Sequence, residues 1–201
     1  MTGAALELDR RTTALVVIDL QKGIAAFGRV LAPHTATEVV ANAVRLAETF
    51  RRHEMPVILV HVDPGPNDRL RPIVDATPAG PAGARPADAA EFVPEIGPRP
   101  GDLVITKKQW GAFYGTDLEL QLRRRGMRTI VLCGISTNYG VESTARFAYE
   151  FGFDQVFAED AMASGSAEMH RAAIDIALKR IGRVRTTDEI VAAVERPAAG
   201  D

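Results

Sequence analysis

Apolar residues follow two rhythms in this chain. In short blocks they stand side by side; between the blocks they recur every three or four residues. The first rhythm suits strands buried on both faces, the second suits helices with one buried face. "ALVVID" (14–19), "VILVHV" (57–62), "LVIT" (103–106), "TIVLCG" (129–134) and "QVFAED" (155–160) read as strands, with "RVRT" (183–186) as a short sixth. A helix is expected over 35–54, opening at Thr35, with Val39, Val40, Ala43, Val44, Ala47 and Phe50 on one face. Thr116 to Glu119 has the form of a capping box and should start a second helix that ends near Gly126. Further helices are expected over 138–151 and 166–181, stopped by Gly152 and Gly182. Thr186 and Glu189 should cap a last helix to about residue 195, followed by a frayed tail, "RPAAGD".

Strands alternating with helices predict an α/β fold in three layers. About six strands would form a mainly parallel, Rossmann-like sheet with helices on both faces. The whole chain, 1–201, reads as one domain, since 201 residues suit a single full core. One segment breaks the rhythm. Residues 64–100 hold nine of the twelve prolines, and a loop this long inside a compact domain is usually a functional lid or a disordered segment.

The bulk numbers narrow the partners. Hydrophobic residues make up 46% and charged residues 25%, an ordinary globular balance, and the formal net charge is -2. Nucleic-acid-binding domains are usually basic, so no nucleic acid is expected. The run Arg123-Arg124-Arg125 falls at a helix end, where it complements the helix dipole. A single cysteine allows no internal disulfide, which suits a reducing cytoplasm. No apolar run approaches the roughly 18 residues of a membrane span, and the N-terminal stretch has no signal-like apolar segment.

In open α/β sheets, ligands bind beyond the carboxyl ends of the strands. The first strand delivers Asp19 and then Gln21 there. The third delivers Lys107 and Lys108, followed by Gln109, Trp110 and Phe113. The fourth delivers Ser136, Thr137 and Asn138 at a helix entrance that continues through Tyr139, Gly140 and Val141. An acid, an amine and a set of backbone donors thus converge on one edge. No Walker A loop, G-x-G-x-x-G or G-x-S-x-G motif is present. Each candidate also has a structural reading. Asp19 could merely cap a turn, and Trp110 and Phe113 at a spacing of three suit a core. Cys133, between apolar neighbours, suits a buried inert thiol. His61 and Asp63 share a strand face without a third ligand, so no metal is expected. His53 fits a helix-end dipole partner, and His170 on an amphipathic helix fits a structural role.

Three blocks in order carry a family resemblance: "ALVVIDLQKG" with Asp19, "LVITKKQWGAFYGTDLELQLRRRG" with Lys107, and "IVLCGISTNYGVESTARFAYEFGFDQVFAEDA". Together, over about Thr13 to Val194, the chain resembles the isochorismatase-like hydrolase family. The resemblance implies an isochorismatase-type fold and a site built on Asp19, Lys107 and the position of Gly140. In most members that last position is a cysteine, which attacks a C–N bond to form a thioester. The chain looks like a subgroup with glycine there, as the isochorismatases proper also have, although "STNY" is the wording of the cysteine-bearing amidases. The spacing of His61 and Asp63 does not match the zinc-binding branch. The resemblance further implies a non-proline cis peptide near Ile135-Ser136 and a homodimer or homotetramer.

The expected activity is therefore hydrolysis of a small, carboxylate-bearing metabolite by general acid catalysis, with no cofactor and no covalent thioester. Isochorismatase-like enol ether cleavage, releasing pyruvate, is the leading form. Amide hydrolysis by water and non-catalytic small-molecule binding are the alternatives. Asp19, Lys107 and Gly140 are expected to run the reaction. Gln21, Trp110, Phe113, Ser136, Thr137, Asn138, Tyr139 and Val141 are expected around the substrate. Gly140 would let substrate reach free amides at the helix entrance.

Overall fold

The computed structural model describes residues 5–65, 72–76 and 86–197. Of the proline-rich stretch, residues 66–71 and 77–85 lie outside the described residues, as do 198–201 of the expected tail. Six strands form one parallel sheet: β1 (Thr13–Ile18), β2 (Val57–Val62), β3 (Leu103–Lys107), β4 (Thr129–Ile135), β5 (Asp154–Ala163) and β6 (Arg183–Arg185). Their order is β3-β2-β1-β4-β5-β6. Every residue of β1 is buried, which is why its sequence is an unbroken apolar run.

The helices are α1 (Ala36–Arg52), α2 (Leu118–Arg124), α3 (Glu142–Glu150), α4 (Ala167–Ala172), α5 (Lys179–Ile181) and α6 (Thr187–Glu195). A wide, π-helical turn over Thr137–Val141 leads into α3, and a similar one over Ala173–Leu178 joins α4 to α5. From β1 the chain steps one way to β2 and β3, then returns past β1 to β4, β5 and β6. Right-handed crossovers in opposite directions place helices on opposite faces. Accordingly α1 packs with α6 on one face, and α3 packs with the α4–α5 run on the other. The order reverses between β1 and β4, and this is the crevice where α/β sheets take ligands.

Thr35 caps α1 and Thr186 caps α6, each in a complete capping box with its Glu38 or Glu189. The box expected at Thr116 does not form. Its hydroxyl instead donates to the Ala112 carbonyl (2.5 Å), the cap position passes to Asp117, and α2 starts at Leu118. Strand β5 also runs three residues past its expected end, through Ala161, Met162 and Ala163, because all three are buried.

Candidate active site

Asp19 follows β1 with φ at +56°, in the left-handed region that Asp tolerates better than most residues. This turns the chain out of the sheet at the reversal point. Lys107 ends β3, two strands away. That gap is about 10 Å at ordinary strand spacing, and β2 lies between. A long flexible amine can cross it. The Lys107 Nζ lies 2.8 Å from the Asp19 Oδ2 and donates to the Trp110 carbonyl at 2.5 Å. Lys107 is 1% exposed and Asp19 5%. The neighbouring Lys108 is exposed, so the adjacent lysines part as expected.

The two oxygens of Asp19 differ. Oδ2 holds Lys107, whereas Oδ1 is buried with no hydrogen-bond partner among the described residues. Burial pushes the carboxyl up to about 6, against the downward pull of the Lys107 charge and hydrogen bond and of His61. Desolvation thus outweighs the nearby cation.

Gly140 sits directly beneath this pair. A Cβ built on it would lie 2.9 Å from the Asp19 Oδ2, 3.0 Å from the Ile18 Cγ2 and 3.3 Å from the Lys107 Nζ. The space above the glycine is therefore filled by the acid and the amine, rather than held open for substrate. Gly134 answers a second close approach. At φ +123° its Cβ would fall 2.0 Å from the Ile18 carbonyl oxygen, so only glycine lets β4 meet β1 there. The peptide bond between Ile135 and Ser136 is cis, at the position the resemblance implied.

The structure corrects several expectations about the surrounding residues. Gln21 is fully buried and its amide is spent: Nε2 donates to the carbonyls of Val62 (3.1 Å) and Ala89 (2.9 Å), and Oε1 accepts from the Val62 amide (2.8 Å). It latches residues 89–92 across the end of β1 and has no donor left for a substrate. Phe113 faces the core, with its ring against Phe151 and Phe153 near the far end of α3. Val141 is buried in the core as well. Thr137 is fully buried and bonded to His170, and the Asn138 Oδ1 accepts from the Ser164 hydroxyl at 2.9 Å.

The amides at the helix entrance are also less free than expected. Those of Tyr139 and Val141 both donate to the Ser136 carbonyl, and that of Asn138 points at the Ser164 hydroxyl at 3.4 Å. Of the expected aromatic wall, Trp110 and Tyr139 do meet. Trp110 is 59% exposed and its ring centroid lies 4.8 Å from that of Tyr139. Ser136, three residues before Tyr139, is half-buried.

Cys133 is fully buried, and burial pushes its thiol up to about 12. His61 is held by the Ala90 carbonyl (2.7 Å) and the Thr106 hydroxyl (2.8 Å). Among the described residues no group of three His, Cys, Asp or Glu side chains could hold a metal ion. Nor is any described helix long and apolar enough to cross a membrane.

Thr137 and His170, 33 residues apart, meet in the fold: the His170 Nδ1 lies 2.8 Å from the Thr137 Oγ1. The signal was present. His170 falls on the same face as the buried Ala173, Ile174, Ala177 and Leu178, and a polar group on an apolar face must find a partner.

The chain resembles known proteins along nearly its whole length. The isochorismatase domain model matches residues 13–189. YwoC of Bacillus subtilis, an uncharacterized isochorismatase family protein, is 50% identical over 94% of this chain and 98% of its own length. A probable isochorismatase of Pseudomonas chlororaphis is 31% identical over 94% of this chain and 89% of its own. The structure of an isochorismatase family protein from Burkholderia thailandensis superposes with a TM-score of 0.87 at 42% identity, covering 96% of this chain and 100% of that one. Matched in this way along nearly its whole length, the chain belongs to the isochorismatase family and is a hydrolase of that family.

Proposed function

We propose that this hydrolase cleaves a small, carboxylate-bearing enol ether by general acid catalysis at Asp19, without a covalent enzyme intermediate. The observation that carries this reading is the unpartnered, buried Oδ1 of Asp19 beside an Oδ2 fixed by Lys107. A proton on Oδ1 would face the ligand, and burial keeps that proton available near neutrality.

The proton passes from Oδ1 to the terminal methylene carbon of the substrate. The C=C electrons form the new C–H bond, and the ether oxygen stabilises the oxocarbenium ion. Water adds to the ether-bearing carbon, which now carries the positive charge, and returns a proton to Asp19. The hemiketal then breaks its C–O bond, leaving pyruvate and an alcohol. Lys107 keeps Oδ2 in place throughout. A substrate carboxylate beside Asp19 would raise its proton affinity further. Trp110 and Tyr139 supply an apolar surface at the entrance. Gly140 serves by leaving room for the pair, and no side chain at 140 is needed as a nucleophile.

The test is direct. Incubation with isochorismate should release pyruvate, and Asp19→Asn should abolish that release while the protein stays folded. Ammonia release from a panel of small amides would instead identify a C–N hydrolase that uses water. Tight ligand binding without either product would identify a binding protein.

The same reading takes the protein as a cytoplasmic homodimer or homotetramer. The exposed Trp110, Tyr114, Phe147 and Tyr149 give it apolar surface for a second copy, which light scattering on the eluted protein would measure.

A further inference from the structure

The turn that carries Gly140 is tied down on its other side by a chain of polar groups, buried at Thr137 and His170 and partly exposed at Glu159 and His34. The Thr137 Oγ1 meets Nδ1 of His170 at 2.8 Å, and Nε2 of His170 meets Oε1 of Glu159 at 3.1 Å. Nε2 of His34 approaches the same carboxylate oxygen at 3.4 Å. Thr137 is fully buried and His170 is 3% exposed, so neither can turn to water for a replacement partner.

The bonds define the ring. A carboxylate only accepts, so Nε2 of His170 carries its hydrogen toward Glu159. In the neutral ring Nδ1 is then an acceptor, and the Thr137 hydroxyl donates to it. That hydroxyl is buried and spent on His170, which fits a role in placement.

We propose that His170, oriented by Glu159, is a positioning residue that fixes Thr137 and thereby seats the Thr137–Val141 turn, with Gly140, against the Asp19–Lys107 pair. The link is short and stiff. The amides of Tyr139 and Val141 share the Ser136 carbonyl, and the Thr144 hydroxyl donates to the Gly140 carbonyl at 2.7 Å. A shift at Thr137 therefore moves Gly140. Gly140 lies where a single added Cβ would touch Asp19, so a small shift of the turn admits water to the carboxyl.

Two substitutions separate the two bonds. His170→Asn keeps an acceptor in the place of Nδ1 but falls short of Glu159. His170→Gln reaches toward Glu159 but offers Thr137 no acceptor. The readouts are the pH titration of the Asp19 carboxyl carbon by NMR and the exchange rate of the Val141 amide. Both are taken in variants whose folded state is verified by circular dichroism. Lys107 and His61, the charges acting on Asp19, are unchanged in every variant.

His170→Asn should titrate as the wild type does. His170→Gln and His170→Ala should lower the Asp19 midpoint by about one pH unit or more and speed exchange at Val141. Thr137→Ser and Thr137→Val should divide in the same way, and they decide the matter if the His170 variants fail to fold. Unchanged titration and exchange in Gln, Ala and Val variants that merely melt earlier would overturn the proposal.

The effect on rate rests on the acid reading of Asp19: kcat for pyruvate release should fall about tenfold to a hundredfold in His170→Gln, with KM little changed. If the wild type releases no pyruvate, that reading fails while titration and exchange still decide the role of His170.

Discussion

A Cβ placed on Gly140 would stand 2.9 Å from the Oδ2 of Asp19, closer than side chains pack. The glycine is therefore a matched partner of the acid. The site is built around their contact.

Gly140→Ala forces either Asp19 or the turn to move. Overpacking of this kind costs about 1–3 kcal/mol, readable as a lower denaturation midpoint in urea. On the proposed reading pyruvate release should fall with it, because the acid is displaced from its place beside Lys107. Gly140→Cys brings the same 2.9 Å Cβ contact with the Asp19 Oδ2 and should lower the urea midpoint likewise.

The raised proton affinity of Asp19 has a defined sign in stability. Its folded midpoint of about 6 lies above the ordinary value of 3.8. The contribution is fully present below the ordinary value and is lost as pH rises through about 6. The loss amounts to about 3 kcal/mol. Stability of the wild type relative to Asp19→Asn, measured by chemical denaturation, should therefore fall between pH 4 and pH 7.

On the proposed reading the same proton sets the rate. As a general acid Asp19 must be protonated, so kcat/KM for pyruvate release should fall about tenfold per pH unit above its midpoint. A profile that rises through that range would show that ionised Asp19 is the working form.

Gln21→Ala leaves the Val62 amide and the Val62 and Ala89 carbonyls without partners. Loss of stability by about 1–3 kcal/mol is expected. Hydrogen exchange at the Val62 amide should quicken, with residues 89–92 loosening alongside. The salt bridges of Lys22 to Asp88 and Glu91 are partly exposed and cannot replace the latch.

Cys133 should resist iodoacetamide in the folded protein and react once urea unfolds it. Its thiol is buried and held protonated, with a pKa pushed up to about 12. Full activity after such treatment would separate this enzyme from thiol-dependent relatives.

Strand blocks were legible because parallel strands buried on both faces must be apolar throughout. The full burial of β1 follows from its unbroken apolar run. Thr35 and Thr186 were legible as caps because their glutamate partners lie three residues on. Thr116 had the same local signal and lost to a competing local acceptor, the Ala112 carbonyl four residues back. Phe113, read as part of the substrate wall, went to the aromatic cluster with Phe151 and Phe153.

The sequence by itself determined the alternation of elements, the acid after β1, the amine ending β3 and the bare residue at the entrance to α3. Each of these is a local property of residue type and spacing. Only the tertiary structure decided which polar groups are spent on the protein and which remain for chemistry. Gln21, Thr137 and Asn138 share the same crevice edge as Asp19, yet their partners are Val62, Ala89, His170 and Ser164, distant in the chain. A hydrogen bond in a dry interior goes to whichever donor or acceptor folding brings within 3 Å or so, and that distance is set by the packing of elements far apart in sequence.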